Sequence, residues 1–136
     1  MSNILKCIML VDDNADDNFI HERVIRKSNA AALIVAKQTA REALEYLQME
    51  PSGKHCHPDL ILLDINMPGM NGWEFLDEYN KLAPKFKSRA IVIMLTTSEN
   101  PDDRAKAKRM NVAFDFKTKP LTKEMLTEIL EKYFKA

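Results

Sequence analysis

Four short apolar runs in this chain each end at a residue able to handle a phosphoryl group. Ile8–Val11 runs into Asp12 and Asp13, and Leu60–Leu63 into Asp64. Ile91–Leu95 stops at Thr96, and Ala113–Phe116 leads to Lys117-Thr118-Lys119-Pro120. Three carboxylates brought together would repel, and at least one would keep a proton unless a cation joined them. Mg2+ takes one or two carboxylates, waters and a phosphate oxygen, so it is the expected cofactor. A carboxylate can also attack phosphorus as a nucleophile. Phosphoryl transfer then asks mainly for positioning and charge neutralisation.

Asp64 is the expected nucleophile. Its strand should be central, and the turn after it, Met67-Pro68-Gly69-Met70-Asn71-Gly72, carries two glycines past which backbone N–H groups can approach phosphoryl oxygens. Asp12, Asp13, Asp64 and a backbone carbonyl just past Asp64 would hold the metal, with Thr96 and Lys119 on the remaining phosphoryl oxygens. Thr96 is preferred because it directly ends its run; Thr97, on the opposite strand face, is the alternate. Lys119 is preferred over Lys117 because Pro120 keeps the preceding backbone extended, and a Lys-Pro step can also lock in cis. Taken singly, each residue has a plainer use. Asp12–Asn18 could be an overbuilt helix cap, Thr96 could satisfy a turn, and Lys119 could be solvated. All of these plain uses holding at once, at successive strand ends, is the less economical reading.

The elements that must position these residues alternate along the chain. Strand 1 is expected near Leu5–Val11, followed by a helix near Asp16–Ser28 with Phe19, Ile20, Val24 and Ile25 facing inward. Strand 2 covers Leu33–Ala36, and a helix near Thr39–Met49 presents Ala40, Ala43, Leu44 and Leu47. Strand 3, Leu60–Leu63, is apolar on both faces, as a central parallel strand should be. A third helix begins near Trp73, and strand 4 is Ile91–Leu95. Asn100-Pro101 reads as the start of a fourth helix, Ala113–Lys117 as strand 5. The last helix carries Leu121, Met125, Leu126, Ile129, Leu130 and Tyr133 at helical spacing. Five successive βα units imply an α/β fold, a doubly wound parallel sheet with helices on both faces. Carboxyl ends of parallel strands share one edge, so the four run ends can meet there.

Bulk properties agree with one domain over 1–136. The chain has 136 residues, 46% hydrophobic and 29% charged, enough for a core without staples. Lys+Arg 20 balances Asp+Glu 20, which gives no field favouring nucleic acid or an anionic membrane. Apolar stretches are strand-length and the N-terminus lacks a signal-peptide core, so a cytoplasmic location is expected. Of the two cysteines, Cys7 reads as a small buried hydrophobe and Cys56 as a loop residue. His55-Cys56-His57 has no second ligand pair at zinc spacing and reads as a solvated loop. Trp73 and Tyr79 read as packing residues.

These residues resemble the CheY-like receiver domain of bacterial two-component response regulators. The resemblance rests on Asp12-Asp13, on Asp64-Ile65-Asn66-Met67-Pro68-Gly69-Met70-Asn71-Gly72, on Leu95-Thr96-Thr97-Ser98 and on Lys119-Pro120. It implies a flavodoxin-like (βα)5 sheet of order 2-1-3-4-5. It implies Asp64 as phosphoacceptor, Asp13 as a direct Mg2+ ligand, Asp12 acting through water, and the Asn66 carbonyl completing the protein's share of the metal shell. Thr96 and Lys119 would hold phosphoryl oxygens. Phe116 falls where the family carries an aromatic ring that rotates on activation, while Asn66 and Ser98 fall where phosphoryl lifetime is tuned. The stretch from Thr96 to Lys119 is one residue longer than the family's, and Asn111 replaces a helix-ending glycine.

The resemblance further implies a phosphohistidine donor, on a sensor histidine kinase or a phosphotransfer protein. The response would be a reshaped face built by the fourth helix, fifth strand and fifth helix, read by a downstream protein. It admits a phosphorylation-dependent dimer. Arg104, Lys106, Lys108 and Arg109 on that face read as a solvated surface rather than a docking patch. With no effector domain after Ala136, a free-standing receiver or one excised from a longer regulator is expected. The domain would catalyse only its own phosphorylation and dephosphorylation. A phosphohydrolase of the haloacid-dehalogenase type would need an acid two residues after Asp64, where Asn66 stands. A flavodoxin-type FMN carrier would need a hydroxyl- and amide-rich loop where Asp12-Asp13-Asn14 stands.

Overall fold

The apolar runs become the strands. In the computed structural model, which describes residues 5–49, 57–65, 67, 69–82, 90–96, 105 and 115–134, these are β1 (Leu5–Val11), β2 (Ala31–Lys37), β3 (Leu60–Asp64), β4 (Ile91–Thr96) and β5 (Asp115–Thr118). All pair in parallel, in the order β2-β1-β3-β4-β5, as the resemblance implied. Every residue of β3 is buried, because it lies mid-sheet with both faces covered; the edge strand β2 is only partly so.

Side chains alternate across the sheet and form two cores. Met9, Val11, Ile61, Leu63, Val92, Met94 and Phe116 pack under helices α2 (Ala40–Gln48) and α3 (Gly72–Leu82). Ile8, Leu10, Leu60, Leu62, Ile93 and Leu95 pack under α1 (Ala15–Lys27) and the C-terminal helix, Lys123–Tyr133. Each fully buried aliphatic side chain contributes about 1.5–3 kcal/mol. An exposed pair such as Arg26–Glu22 adds under ~1 kcal/mol, so the two cores hold the sheet. Cys7, Trp73 and Tyr79 are buried among these core residues.

Helix starts follow from their caps. Asn14, Thr39 and Thr122 each accept a hydrogen bond from a first-turn N–H. At α3, Asn71 and Glu74 satisfy each other's backbone N–H at 2.9 Å in both directions.

One expected face is wrong. Phe19 is 62% exposed and Ile20 47%, whereas Asn18, His21 and Ile25 form the buried stripe of α1 and Val24 is half-buried. The cap at Asn14 fixes the helical phase, and Asn18 Nδ2 donates to the Asp12 carbonyl at 3.0 Å, turning this polar stripe toward the end of β1. Arg23 lies over the Phe19 ring, 5.9 Å from its centre, which shields part of the exposed face. β2 also runs longer than expected at both ends. Of the expected fourth helix only Ala105 is described, in helical conformation; its basic residues, the start of strand 5 at Ala113, Asn111 and Cys56 lie outside the described residues.

Candidate functional site

Register brings the run ends together. Val11 lies opposite Leu63, Asp64 opposite Leu95, and Leu95 opposite Lys117. Asp12 and Asp64 therefore leave adjacent strands at one level of the carboxyl edge. Lys119 follows β5 and is joined to Pro120 by a cis peptide bond.

Asp12, Asp13 and Asp64 each present a carboxylate oxygen, and the three lie within 4.8 Å of one another. Asp12 and Asp64 are buried, while Asp13 is exposed. Asp12 Oδ1 accepts from the Asn14 N–H at 2.9 Å. The capping atom of α1 is the Asn14 side chain, not either aspartate, so the acidic pair is not an overbuilt cap.

Lys119 reaches into this group with its side chain only 9% exposed. Its Nζ is 2.6 Å from Asp12 Oδ2, 3.0 Å from Asp17 Oδ2 and 3.4 Å from Asp64 Oδ1. Burial pulls the Lys119 pKa down. Hydrogen bonds to Asp12 and Asp17, with the charges of Asp12 and Asp64, outweigh it and hold the group above the ordinary lysine range. It is an ammonium at any physiological pH. Beneath it, burial lowers the His21 pKa; Asp12 and Asp17 oppose that effect and Lys119 reinforces it. The imidazole is the neutral member of a charged neighbourhood.

The glycines after Asp64 divide their work. Gly69 adopts φ +77, a conformation that favours glycine. Gly72 is used differently, because its N–H donates to the Ile65 carbonyl at 2.8 Å. A Cβ there would stand 2.8 Å from the Asp64 carbonyl oxygen and 2.9 Å from Ile65 Cα. Its bareness lets α3 close against the end of β3 and so fixes the backbone that carries Asp64.

Asp12, Asp13, Asp64 and Lys119 thus meet as the sequence suggested. Thr96 ends β4 level with Thr118, but its side chain, like Asn66, Thr97 and Ser98, lies outside what is described. Phe116 is buried on the α2–α3 side of the sheet. Asp17 joins them unexpectedly, since in sequence it stands within a run that reads as helix-capping residues. The first turn of a helix entered directly from a strand end lies over that end, which is the signal that could have found it. The donor set suits a hard divalent cation: three carboxylates with no thiol or imidazole among them fit Mg2+ or Mn2+ and not a structural zinc.

Comparison with known proteins agrees. The family model described as response regulator receiver domain matches residues 8–131. The response regulator Rcp1 of Synechocystis is 36% identical over 103 residues, which are 75% of this chain and 69% of Rcp1. A two-component response regulator structure from Cytophaga hutchinsonii superposes with TM-score 0.84 at 30% identity, over 94% of this chain and 96% of that one. The Mn2+-bound form of response regulator Rcp1 superposes with TM-score 0.73 at 29% identity, over 94% and 93%. Against the rice regulators named ORR1 the chain spans about half their length, 49%. No helix among the described residues is long and apolar enough to cross a membrane. With the sheet order, the acidic edge and these likenesses in accord, the chain belongs to the response regulator receiver domain family of two-component signalling.

Proposed function

We propose that this chain accepts a phosphoryl group on Asp64, from a phosphohistidine of a sensor kinase or relay protein, and passes the signal on by protein contact. The observation that carries this reading is the gathering of Asp12, Asp13 and Asp64 within 4.8 Å beside an ammonium 3.4 Å from Asp64. Asp12, Asp13 and Asp64, with the Asn66 carbonyl, would hold Mg2+; when bound, it supplies the positive charge that lets a phosphorylated anion approach a carboxylate. The Mn2+-bound Rcp1 structure supports a divalent cation in such a site.

The chain's own groups then divide the task. An Asp64 oxygen attacks phosphorus in line as the bond from phosphorus to the donor imidazole nitrogen breaks. Lys119 donates N–H bonds to a phosphoryl oxygen, and the Thr96 hydroxyl serves another. Phe116 is the ring whose inward rotamer accompanies activation, and the face formed by the fourth helix, β5 and the C-terminal helix carries the output. Residues 1–136 act as one domain, in the cytoplasm, with no turnover beyond the domain's own modification and its loss. A signalling role, not metabolism of a substrate, follows from the family.

Labelling with acetyl phosphate and Mg2+, on the wild type and Asp64→Asn in parallel, tests this. The expected result is stoichiometric, base-labile label on the wild type and none on the variant. Equal labelling of both would remove Asp64 from its role. Sustained release of phosphate would point to a phosphohydrolase, and a yellow purified protein to a flavin carrier.

A further inference from the structure

Lys119 is held by three carboxylates, and one of them has no part in the cation group. Asp12 and Asp64 belong to the set within 4.8 Å that can close on a metal; Asp17 does not, yet its Oδ2 takes a hydrogen bond from Lys119 at 3.0 Å. Asp17 is also rigidly presented. Its N–H donates to Asn14 Oδ1 at 3.2 Å, Asn14 N–H donates to Asp12 Oδ1 at 2.9 Å, and Asn18 Nδ2 donates to the Asp12 carbonyl. The first turn of α1 and the end of β1 are therefore one hydrogen-bonded unit.

An ammonium has three N–H directions and no acceptor. Asp12 is claimed twice, by Lys119 at 2.6 Å and by the cation group. A carboxylate that holds a dication, directly or through one of its waters, is a poorer acceptor for an ammonium, since its negative charge is already partly neutralised. Among the described residues, Asp17 has no such second claim. From this geometry we infer that Asp17 is a positioning residue, the carboxylate that keeps Lys119 tied to α1 when a divalent cation engages Asp12. One N–H stays anchored, leaving the others for Asp64 and a phosphoryl oxygen. The assignment rests on the reading of the site given above.

A purely structural alternative is at hand, because first-turn acids also stabilise a helix through its dipole. Asp16 supplies the control, being the other first-turn acid of α1 and exposed. The first measurement is the ammonium 1H–15N signal of Lys119, assigned by its loss in Lys119→Met, with Mg2+ present. It should persist in the wild type and Asp16→Asn and vanish by exchange broadening in Asp17→Asn. The second is the rate of labelling by acetyl phosphate at saturating Mg2+. Asp17→Asn should slow it about tenfold in the wild type and add no loss in the Lys119→Met background. Persistence of the ammonium signal in Asp17→Asn, or the same rate loss in both backgrounds, overturns the assignment. Should the wild type fail to label at Asp64, the phosphoacceptor reading falls, while the ammonium signal still decides the role of Asp17.

Discussion

The two edges of one sheet use the same side chain in opposite ways. At the amino edge, Asp59 Oδ2 accepts from the backbone N–H groups of Lys6 at 2.9 Å and Cys7 at 3.2 Å. Its own N–H bonds the Cys7 carbonyl and its carbonyl bonds the Ile91 N–H, both at 2.9 Å, so it ties the starts of β1, β3 and β4 together. At the carboxyl edge, Asp12, Asp13 and Asp64 face one another, and the Lys119 ammonium lies 2.6 Å from Asp12. Neutral backbone donors satisfy a carboxylate without leaving it a further task. Like charges assembled at one point destabilise the fold and are retained where a cation or a reaction uses them. Residue type says little about which kind an aspartate is; its partners decide.

The largest test of that contrast removes one partner at each edge. Lys119→Met should slow labelling by acetyl phosphate about 100-fold, the usual scale for losing one donor to a developing anion. Asp59→Ala should leave the labelling rate of the folded protein within twofold of the wild type, as no step passes through the amino edge. Comparable losses in the two variants would mean that the edges are not functionally separate.

Next in size is a pair of opposite sign. Asp13→Asn removes an exposed member of the acidic group, relieving repulsion. Without Mg2+ its melting temperature should rise by roughly 1–3 °C, while calorimetric titration should find Mg2+ binding weakened about tenfold. Asp59→Ala leaves two N–H groups without their acceptor and should cost about 1–2 kcal/mol in denaturant unfolding, with Mg2+ binding unchanged. If both substitutions destabilise alike, the acidic edge carries no repulsive strain.

How much of this was legible depended on whether position or phase was needed. Apolar runs of strand length with acids, Thr96 and the Lys-Pro step at their ends sufficed for the α/β class, and parallel pairing then forces strand ends onto one edge. That is why Asp12, Asp64 and Lys119 could be placed together without knowing which helix packs where. The inward face of α1 could not be read the same way. Phe19 and Ile20 are apolar, but the Asn14 cap and the Asn18 bond to Asp12 set the phase, and a polar stripe faces inward. Asp17 was hidden for the same reason, since its use appears only once that phase is known. The need for glycine at position 72 is equally hidden in sequence, because it is set by a backbone 2.8 Å away in three dimensions and eight residues away along the chain.

The smallest effect compares the edges by titration, because one buried or half-buried histidine lies near each. His57 precedes β3 beside Asp59 at the amino edge, and His21 lies beneath Asp12 and Lys119 at the other. Burial is the leading cause in both cases and lowers both pKa values below 6.5. At the amino edge the Pro58 backbone and Asp59 oppose it; at the carboxyl edge Asp12 and Asp17 oppose it and Lys119 adds to it. The unfolded chain therefore binds protons near pH 6.5 that the folded chain still refuses, and stability must rise with pH across that window. Acidification from about pH 7.5 to about pH 5.5 should lower the melting temperature by a few degrees. His57→Gln and His21→Gln should each flatten part of that slope. A melting temperature that climbs on acidification would mean that the carboxylates beside the two rings, and not their burial, set their protonation.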